Sequence, residues 1–361
     1  MRSIFPILII LILTTNLAHA QEQKTQNVVL ITLDGMRWQE VFNGGDSGFM
    51  RQQKFLKDDK LKKKFWRSDV KERRTALMPF FWSTIAQKGQ LYGNRDAGSK
   101  MNVTNNQWFS YPGYNEILTG NADNERIHSN DKFYNPNSNV LEFIEEQSGF
   151  KNAVAAFTSW DVFPYIINDK RNGIMVSAGL TPATAGKLSE QEQTMNKLMP
   201  SIPNPLGEVR LDAFTFYYGL EYMKRSKPRV MYFAFDETDD FAHAGEYGAY
   251  LNSAHNTDLF ISELWTYLQS DAFYKDKTTL ILTCDHGRGI SAEDWKSHGA
   301  KVPLADQIWM AVLGPDTPAK GEATAGQYYQ NQVAKTMASL LGFTYGEGKN
   351  VGETIPGVMG K

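Results

Sequence analysis

Only one cysteine occurs in 361 residues. A single thiol cannot close an intrachain disulfide, and it excludes a cysteine-ligated zinc ribbon. Net charge is scarce too: 38 Lys+Arg stand against 40 Asp+Glu, and the resulting −2 carries no nucleic-acid footprint. No apolar run after residue 20 is long enough to span a bilayer. Internal repeats and low-complexity tracts are also missing. With 42% hydrophobic and 22% charged residues, the composition is that of a globular chain able to bury a large core.

The first twenty residues read as an address. Arg2 precedes an apolar run from Ile4 to Leu13, then Thr14, Thr15, Asn16 and an Ala18-His19-Ala20 cleavage pattern. This predicts a secretory signal peptide over 1–20, a mature domain over 21–361, and export to the periplasm or beyond. An exported chain without a disulfide must be stabilised by its core and by bound metal.

Five short β-prone runs follow: Val28–Leu33, Ala153–Phe157, Val230–Phe235, Thr279–Cys284 and Ile308–Leu313. They are apolar on both faces, which suits strands of a parallel sheet covered by helices. Between them lie helical patterns, the clearest being Ala249–Leu268, where Leu251, Ala254, Leu259, Leu264 and Leu268 recur at helical spacing. The alternation predicts an α/β fold, a doubly wound and mostly parallel sheet flanked by helices.

The residues after these strands carry the chemistry. Val28–Leu33 leads into Asp34-Gly35, Thr279–Cys284 into Asp285-His286-Gly287, and Val230–Phe235 into Asp236-Glu237-Thr238-Asp239-Asp240-Phe241-Ala242-His243. Ligands of open α/β sheets bind beyond the carboxyl ends of the strands. Carboxylates gathered there repel one another unless cations neutralise them, which points to metal. Asp239 and His243 are four apart, one helical turn, although Asp236, Glu237 and Asp240 compete with Asp239. His298, in Ser297-His298-Gly299, offers a further imidazole. Oxygen and imidazole donors without thiolate suit Zn²⁺, with Mn²⁺ or Fe as alternatives. Any one of these residues alone reads as a cap or a surface pair; their joint occurrence at separate strand ends does not.

Asn105–Gly120 reads as a turn opening into a helix, with Ser110 near the helix N-terminus, where free N–H groups favour an anion. Alone, Ser110 is a capping residue. A nearby metal would make it a nucleophile.

Together, Asp34-Gly35, Ser110-Tyr111-Pro112, Asp239-x-x-x-His243, Asp285-His286-Gly287 and His298 resemble the alkaline phosphatase superfamily, most of all its nucleotide pyrophosphatase/phosphodiesterase branch, from about Asn27 to Gly314. The resemblance implies two Zn²⁺, one held by Asp34, Asp285, His286 and the nucleophile Ser110, the other by Asp239, His243 and His298. It also implies that Asn130 binds a non-bridging phosphoryl oxygen and that the substrate is a small phosphate ester such as a nucleotide or a lipid headgroup. A phosphodiesterase acting through a phosphoseryl intermediate is expected. The rivals are a phosphate monoesterase and a secreted binding protein on an inactive scaffold. A sulfatase, the near relative in this superfamily, is disfavoured, because Ser110-Tyr111-Pro112-Gly113-Tyr114 has Tyr where the (Cys/Ser)-x-Pro-x-Arg motif needs Arg.

Several stretches stay secondary. Arg51–Arg74 carries eleven basic residues against four acids, a solvated helix face or a steering lid. Residues 181–210, rich in Pro, Ser, Thr and Gln, form an expected insertion over the sheet edge, a small cap. Trp160, Asp161, Lys170 and Arg171 are candidates for substrate contact. His128 and His255 read as structural and Cys284 as a buried strand residue.

Overall fold

In the computed structural model, residues 23–347 and 350–360 are described; the signal peptide expected over 1–20 lies outside them. The ten strands are β1 (Asn27–Leu33), β2 (Gln90–Tyr92), β3 (Lys100–Asn102), β4 (Val154–Thr158), β5 (Met175–Ala178), β6 (Val230–Phe235), β7 (Thr278–Thr283), β8 (Met310–Leu313), β9 (Gly321–Glu322) and β10 (Gln327–Tyr329). Eight form one sheet in the order β5-β4-β6-β1-β7-β8-β2-β9, and β10-β3 form a separate pair. The strands from β5 to β7 run parallel, and β8 lies antiparallel to both its neighbours. Every residue of β1, β4, β6, β7 and β8 is buried, as two-sided helical cover requires. The five expected strands are all present.

Register explains why the strand ends meet. Leu33 of β1 lies opposite Phe235 of β6, and Thr32 lies opposite Thr283 of β7. Adjacent strands are about 4.8 Å apart. The residues that follow β6, β1 and β7 are therefore delivered side by side, while β4 brings Ser159, Trp160 and Asp161 next to them.

The long helix spans Tyr247–Ser270 and buries Leu251, Ala254, Leu264 and Leu268 as expected. Leu259 is instead 48% exposed. Five residues beyond Ala254 it has turned about 140° off the buried stripe, and Asp258 and Ile261 take that face. The region 181–210 contains a helix, Glu190–Leu198, opened by a Ser189/Glu192 capping box and tied by Arg225–Glu192 to the helix Asp212–Ser226. His255 is structural, its Nδ1 bonded to Leu77 O at 2.8 Å and its ring edge-on to Phe65. His128 is an exposed surface residue and Cys284 is buried.

Asp258 pins the long helix to the start of the helical segment at Phe80–Phe81, accepting both backbone N–H groups at 2.7 and 2.8 Å. Burial pushes its carboxyl up to about 7, against those two hydrogen bonds. Between the unfolded value near 4 and that value, the folded protein holds a proton the unfolded chain has released. Stability therefore falls as pH rises across the window, by at most about 4 kcal/mol. Asp258→Asn should remove that part of the slope in urea unfolding between pH 5 and 8. Parallel profiles for the variant and the parent would contradict it.

Candidate active site

Asp34, one residue beyond β1, accepts the Tyr114 hydroxyl on Oδ2 at 2.8 Å, while its buried Oδ1 meets no hydrogen-bond donor among the described residues. Asp285, beyond β7, divides its oxygens in the same way. Oδ1 accepts Gly35 N–H at 3.0 Å and Oδ2 is buried and unpartnered. Both bare oxygens lie 3.3 Å from His286 Nε2. His286 Nδ1 sits 2.9 Å from Gly287 O, so the proton is assigned to Nδ1 and Nε2 presents a lone pair. Three lone pairs thus converge, and Ser110 Oγ stands 3.4 Å from the same Nε2.

A second set adjoins the first. Asp239 lies in the helix Glu237–His243, and the four-residue spacing puts its Oδ2 3.0 Å from His243 Nε2. His243 Nε2 is 3.0 Å from His298 Nε2. His298 Nδ1 faces Trp108 O at 3.3 Å, which again assigns a free lone pair to Nε2. The His286 and His298 rings stack with centroids 3.9 Å apart. Asp34, Asp285 and His286 keep their ligand atoms within 4.8 Å of one another, as do Asp239, His286 and His298. Of the acids competing with Asp239, Glu237 is engaged with Asp212 N–H and Ser253, whereas Asp240 keeps a buried, unpartnered Oδ2 beside it.

Electrostatics agree with the geometry. Burial, reinforced by Asp239, pushes the Asp34 carboxyl well up, and burial with Asp34 does the same to Asp285. Burial also raises Asp239, but the Arg288 guanidinium, His243 and His298 outweigh it and hold that carboxyl well below its ordinary range. Burial and the neighbouring His286 push His298 down to about 2, so its imidazole is neutral. Two unit charges about 4 Å apart repel by about 4 kcal/mol at an effective dielectric near 20. A neutral hydrogen bond returns only about 1 kcal/mol. Ionised together, these carboxylates need cations, and the donor set is one that fits Zn²⁺.

Ser110 opens the helix Ser110–Thr119 and is 6% exposed. That helix packs directly on the Asp285 backbone: a Cβ on Gly113 would lie 2.3 Å from Asp285 O, so the close approach requires glycine. The preceding turn is held by buried Glu116, which accepts the N–H groups of Thr104 and Asn105. Asn105 Oδ1 in turn fixes Trp108, whose φ of +55° is rare for a bulky residue. Asn130 is exposed and takes the Tyr111 N–H on Oδ1 at 2.9 Å, next to the serine.

The other candidates form a rim or are engaged elsewhere. Trp160 packs edge-on against Phe163, which packs against Tyr114. Asp161 pairs with Lys132 at 2.5 Å, and Lys132 also reaches Glu208. Arg171 bonds Glu142, Asn135 O and Asn137 O, and Lys170 lies over the Tyr134 ring; neither makes a contact to the carboxylate–imidazole cluster. Sequence reasoning missed Arg288, Tyr114 and Lys132. An arginine after Asp-His-Gly reads as surface charge, yet Arg288 is 1% exposed and its Nη1 contacts Asp239.

Stripping bound metal with a chelator should lower the melting temperature by ~5 °C or more, and added Zn²⁺ should restore it. A melting temperature indifferent to both treatments would count against a cation among these carboxylates.

The family model described as Sulfatase matches residues 102–343, about two thirds of the chain. A search of curated proteins finds no match. Among solved structures, the phosphonate monoester hydrolase of Silicibacter pomeroyi is 14% identical with a TM-score of 0.58, over 93% of this chain and 77% of that one. A lipoteichoic acid synthase from Listeria monocytogenes is 11% identical with a TM-score of 0.57, over 90% and 74%. A protein of the alkaline phosphatase superfamily from Vibrio parahaemolyticus is 13% identical with a TM-score of 0.51, over 89% and 67%. These likenesses show the fold. The family match bears out the superfamily resemblance and gives no support to the nucleotide pyrophosphatase/phosphodiesterase branch in particular; it bears on kinship, not on the missing arginine of the formylglycine motif. The chain belongs to the sulfatase family, metal-dependent ester hydrolases of the alkaline phosphatase superfamily.

Proposed function

We propose that the protein is an exported two-metal phosphoric ester hydrolase that cleaves small phosphodiesters, nucleotides or lipid headgroups among them, with Ser110 as nucleophile. The supporting observation is the convergence of unpartnered Asp34 Oδ1, unpartnered Asp285 Oδ2 and the His286 Nε2 lone pair beside Ser110 Oγ. Asp34, Asp285, His286 and Ser110 would hold one ion and Asp239, His243 and His298 the other. Bound Zn²⁺ lowers the pKa of a coordinated hydroxyl and offsets developing negative charge.

The chain's own residues supply the rest. Ser110 Oγ forms the new P–O bond as the ester oxygen leaves on the opposite side of phosphorus. Water then attacks the phosphoseryl group and regenerates the serine hydroxyl. In the first turn of the helix Ser110–Thr119, Tyr111 N–H is taken by Asn130, Pro112 has none and Gly113 N–H bonds Phe109 O at 3.0 Å, so it is the positive end of the helix dipole that favours the anionic phosphoryl group. Asn130, its Oδ1 taken by Tyr111, is left with Nδ2 to donate to a non-bridging oxygen. Tyr114 and Gly35 N–H fix the two carboxylates so that their other oxygens stay in place.

Charge favours the diester. A monoester dianion asks for one more cation than a diester, yet Lys132 is paired with Asp161 and Glu208, Arg171 with Glu142, and Arg288 with Asp239. A sulfate ester is a second reading, favoured by the family match, because it carries the same single charge. Ser110-Tyr111-Pro112-Gly113-Tyr114, without the arginine of the formylglycine motif, weighs against it.

For zinc-loaded protein, kcat/KM for a bis-p-nitrophenyl phosphate should exceed that for the p-nitrophenyl phosphate monoester and the p-nitrophenyl sulfate. A monoester preferred over the diester would replace the reading with a phosphatase, and a preferred sulfate with a sulfatase. Ser110→Ala should lower diester turnover by ~10³-fold or more at unchanged zinc content. Surviving activity would refute the nucleophile, and a wild type inert toward every ester would leave the binding-protein rival.

A further inference from the structure

Each of the three converging aspartates has one oxygen anchored and one left toward the imidazoles, but the anchors differ in kind. Asp34 is anchored by a neutral hydroxyl and Asp285 by a backbone N–H. Asp239 is anchored by a full positive charge, Arg288 Nη1. The same guanidinium donates from Nε to Trp295 O at 3.0 Å and from Nη2 to Lys296 O at 2.5 Å. Those carbonyls lie two and three residues before His298. One buried side chain therefore ties the helix that carries Asp239 and His243 to the irregular segment that carries His298.

Arg288 is itself fixed. Its neighbour Gly289 offers O to Arg37 Nη1 at 2.9 Å, and Arg37 is locked by buried Glu40. Trp295 is buried among Phe49, Phe55 and Tyr247. A Cβ on buried Gly35 would come within 2.6 Å of both Arg288 Nη1 and Asp239 Oδ1, at a φ of +57° that favours glycine. No slack remains around the guanidinium.

We infer that Arg288 is a positioning residue for the second ion: it holds Asp239 and His298 in their ligand arrangement before metal arrives. The inference rests on the two-metal reading above. Two effects compete. The positive charge works against a nearby dication, whereas ordering the His298 segment carries an entropic cost that Arg288 removes from the binding step. Guanidinium geometry lets one group serve a carboxylate and two carbonyls at once. An ammonium at the same position keeps the charge but cannot span all three. Positioning dominates, and the two substitutions separate it from charge.

The test is a titration of metal-stripped mature protein with Zn²⁺ against a chelating dye, for the wild type, Arg288→Gln and Arg288→Lys. The wild type should bind two equivalents. Both variants should lose affinity for one equivalent by about tenfold or more, the range for outer-shell partners of metal ligands, and keep the other within about threefold. A tighter or unchanged second equivalent in Arg288→Gln, or a Lys variant that matches the wild type, would overturn positioning while leaving the two-metal reading intact. Equal weakening of both equivalents would reduce Arg288 to a general structural role and also overturn it. A wild type that binds fewer than two equivalents would sink the two-metal reading, and this inference with it.

Discussion

Carboxylate repulsion at one sheet edge is the constraint on which the rest of the structure depends. β6, β1 and β7 are adjacent and in register, so the aspartates that follow them cannot avoid one another. An apolar residue at any of the three positions would relieve the crowding. The chain instead surrounds the crowd with donors that each take one oxygen, leaving Asp34 Oδ1 and Asp285 Oδ2 bare and Asp239 Oδ2 facing His243 Nε2 at 3.0 Å. Tyr114, Gly35 and Arg288 come from three different parts of the chain and make the same division. That repeated pattern separates a cation site from an accidental cluster of acids.

The Ser110 turn and the carboxylate–imidazole cluster are built as one unit. Gly113 lets the Ser110 helix sit on the Asp285 backbone, and the Trp108 carbonyl that precedes the serine faces His298 Nδ1. Left-handed Trp108 is strain placed where it couples the turn to a ligand, and Asn105 with Glu116 over-determines it. Specificity belongs to a different layer. The candidates proposed for it lie beyond β4, where Trp160 packs on Phe163 and Lys132 joins Asp161 to Glu208 of the 181–210 stretch.

Much of this was legible in the sequence, for identifiable reasons. Short β-prone runs apolar on both faces suit strands of a covered sheet, and the strand-end rule then places Asp34, Asp239 and Asp285 together without knowledge of any contact. The spacing of Asp239 and His243 selected the pair the geometry brings together. Short strands such as β2, β3, β9 and β10 were not legible, because two or three residues carry no periodicity and their pairing is set by tertiary contacts. Arg288 escaped because burial of a charge is visible only through its partners, and those lie in distant segments. Lys170 and Arg171 looked like free cations for the same reason: Glu142 and Tyr134 are distant in sequence.

The central claim is that two cations sit within these carboxylates and imidazoles. The most direct measurement is an anomalous difference map collected at the zinc edge from crystals of the zinc-loaded protein. Two peaks are predicted, one bounded by Asp34, Asp285, His286 and Ser110 Oγ, the other by Asp239, His243 and His298. A map with a single peak, or with zinc bound elsewhere and these side chains paired only with one another, would contradict the account.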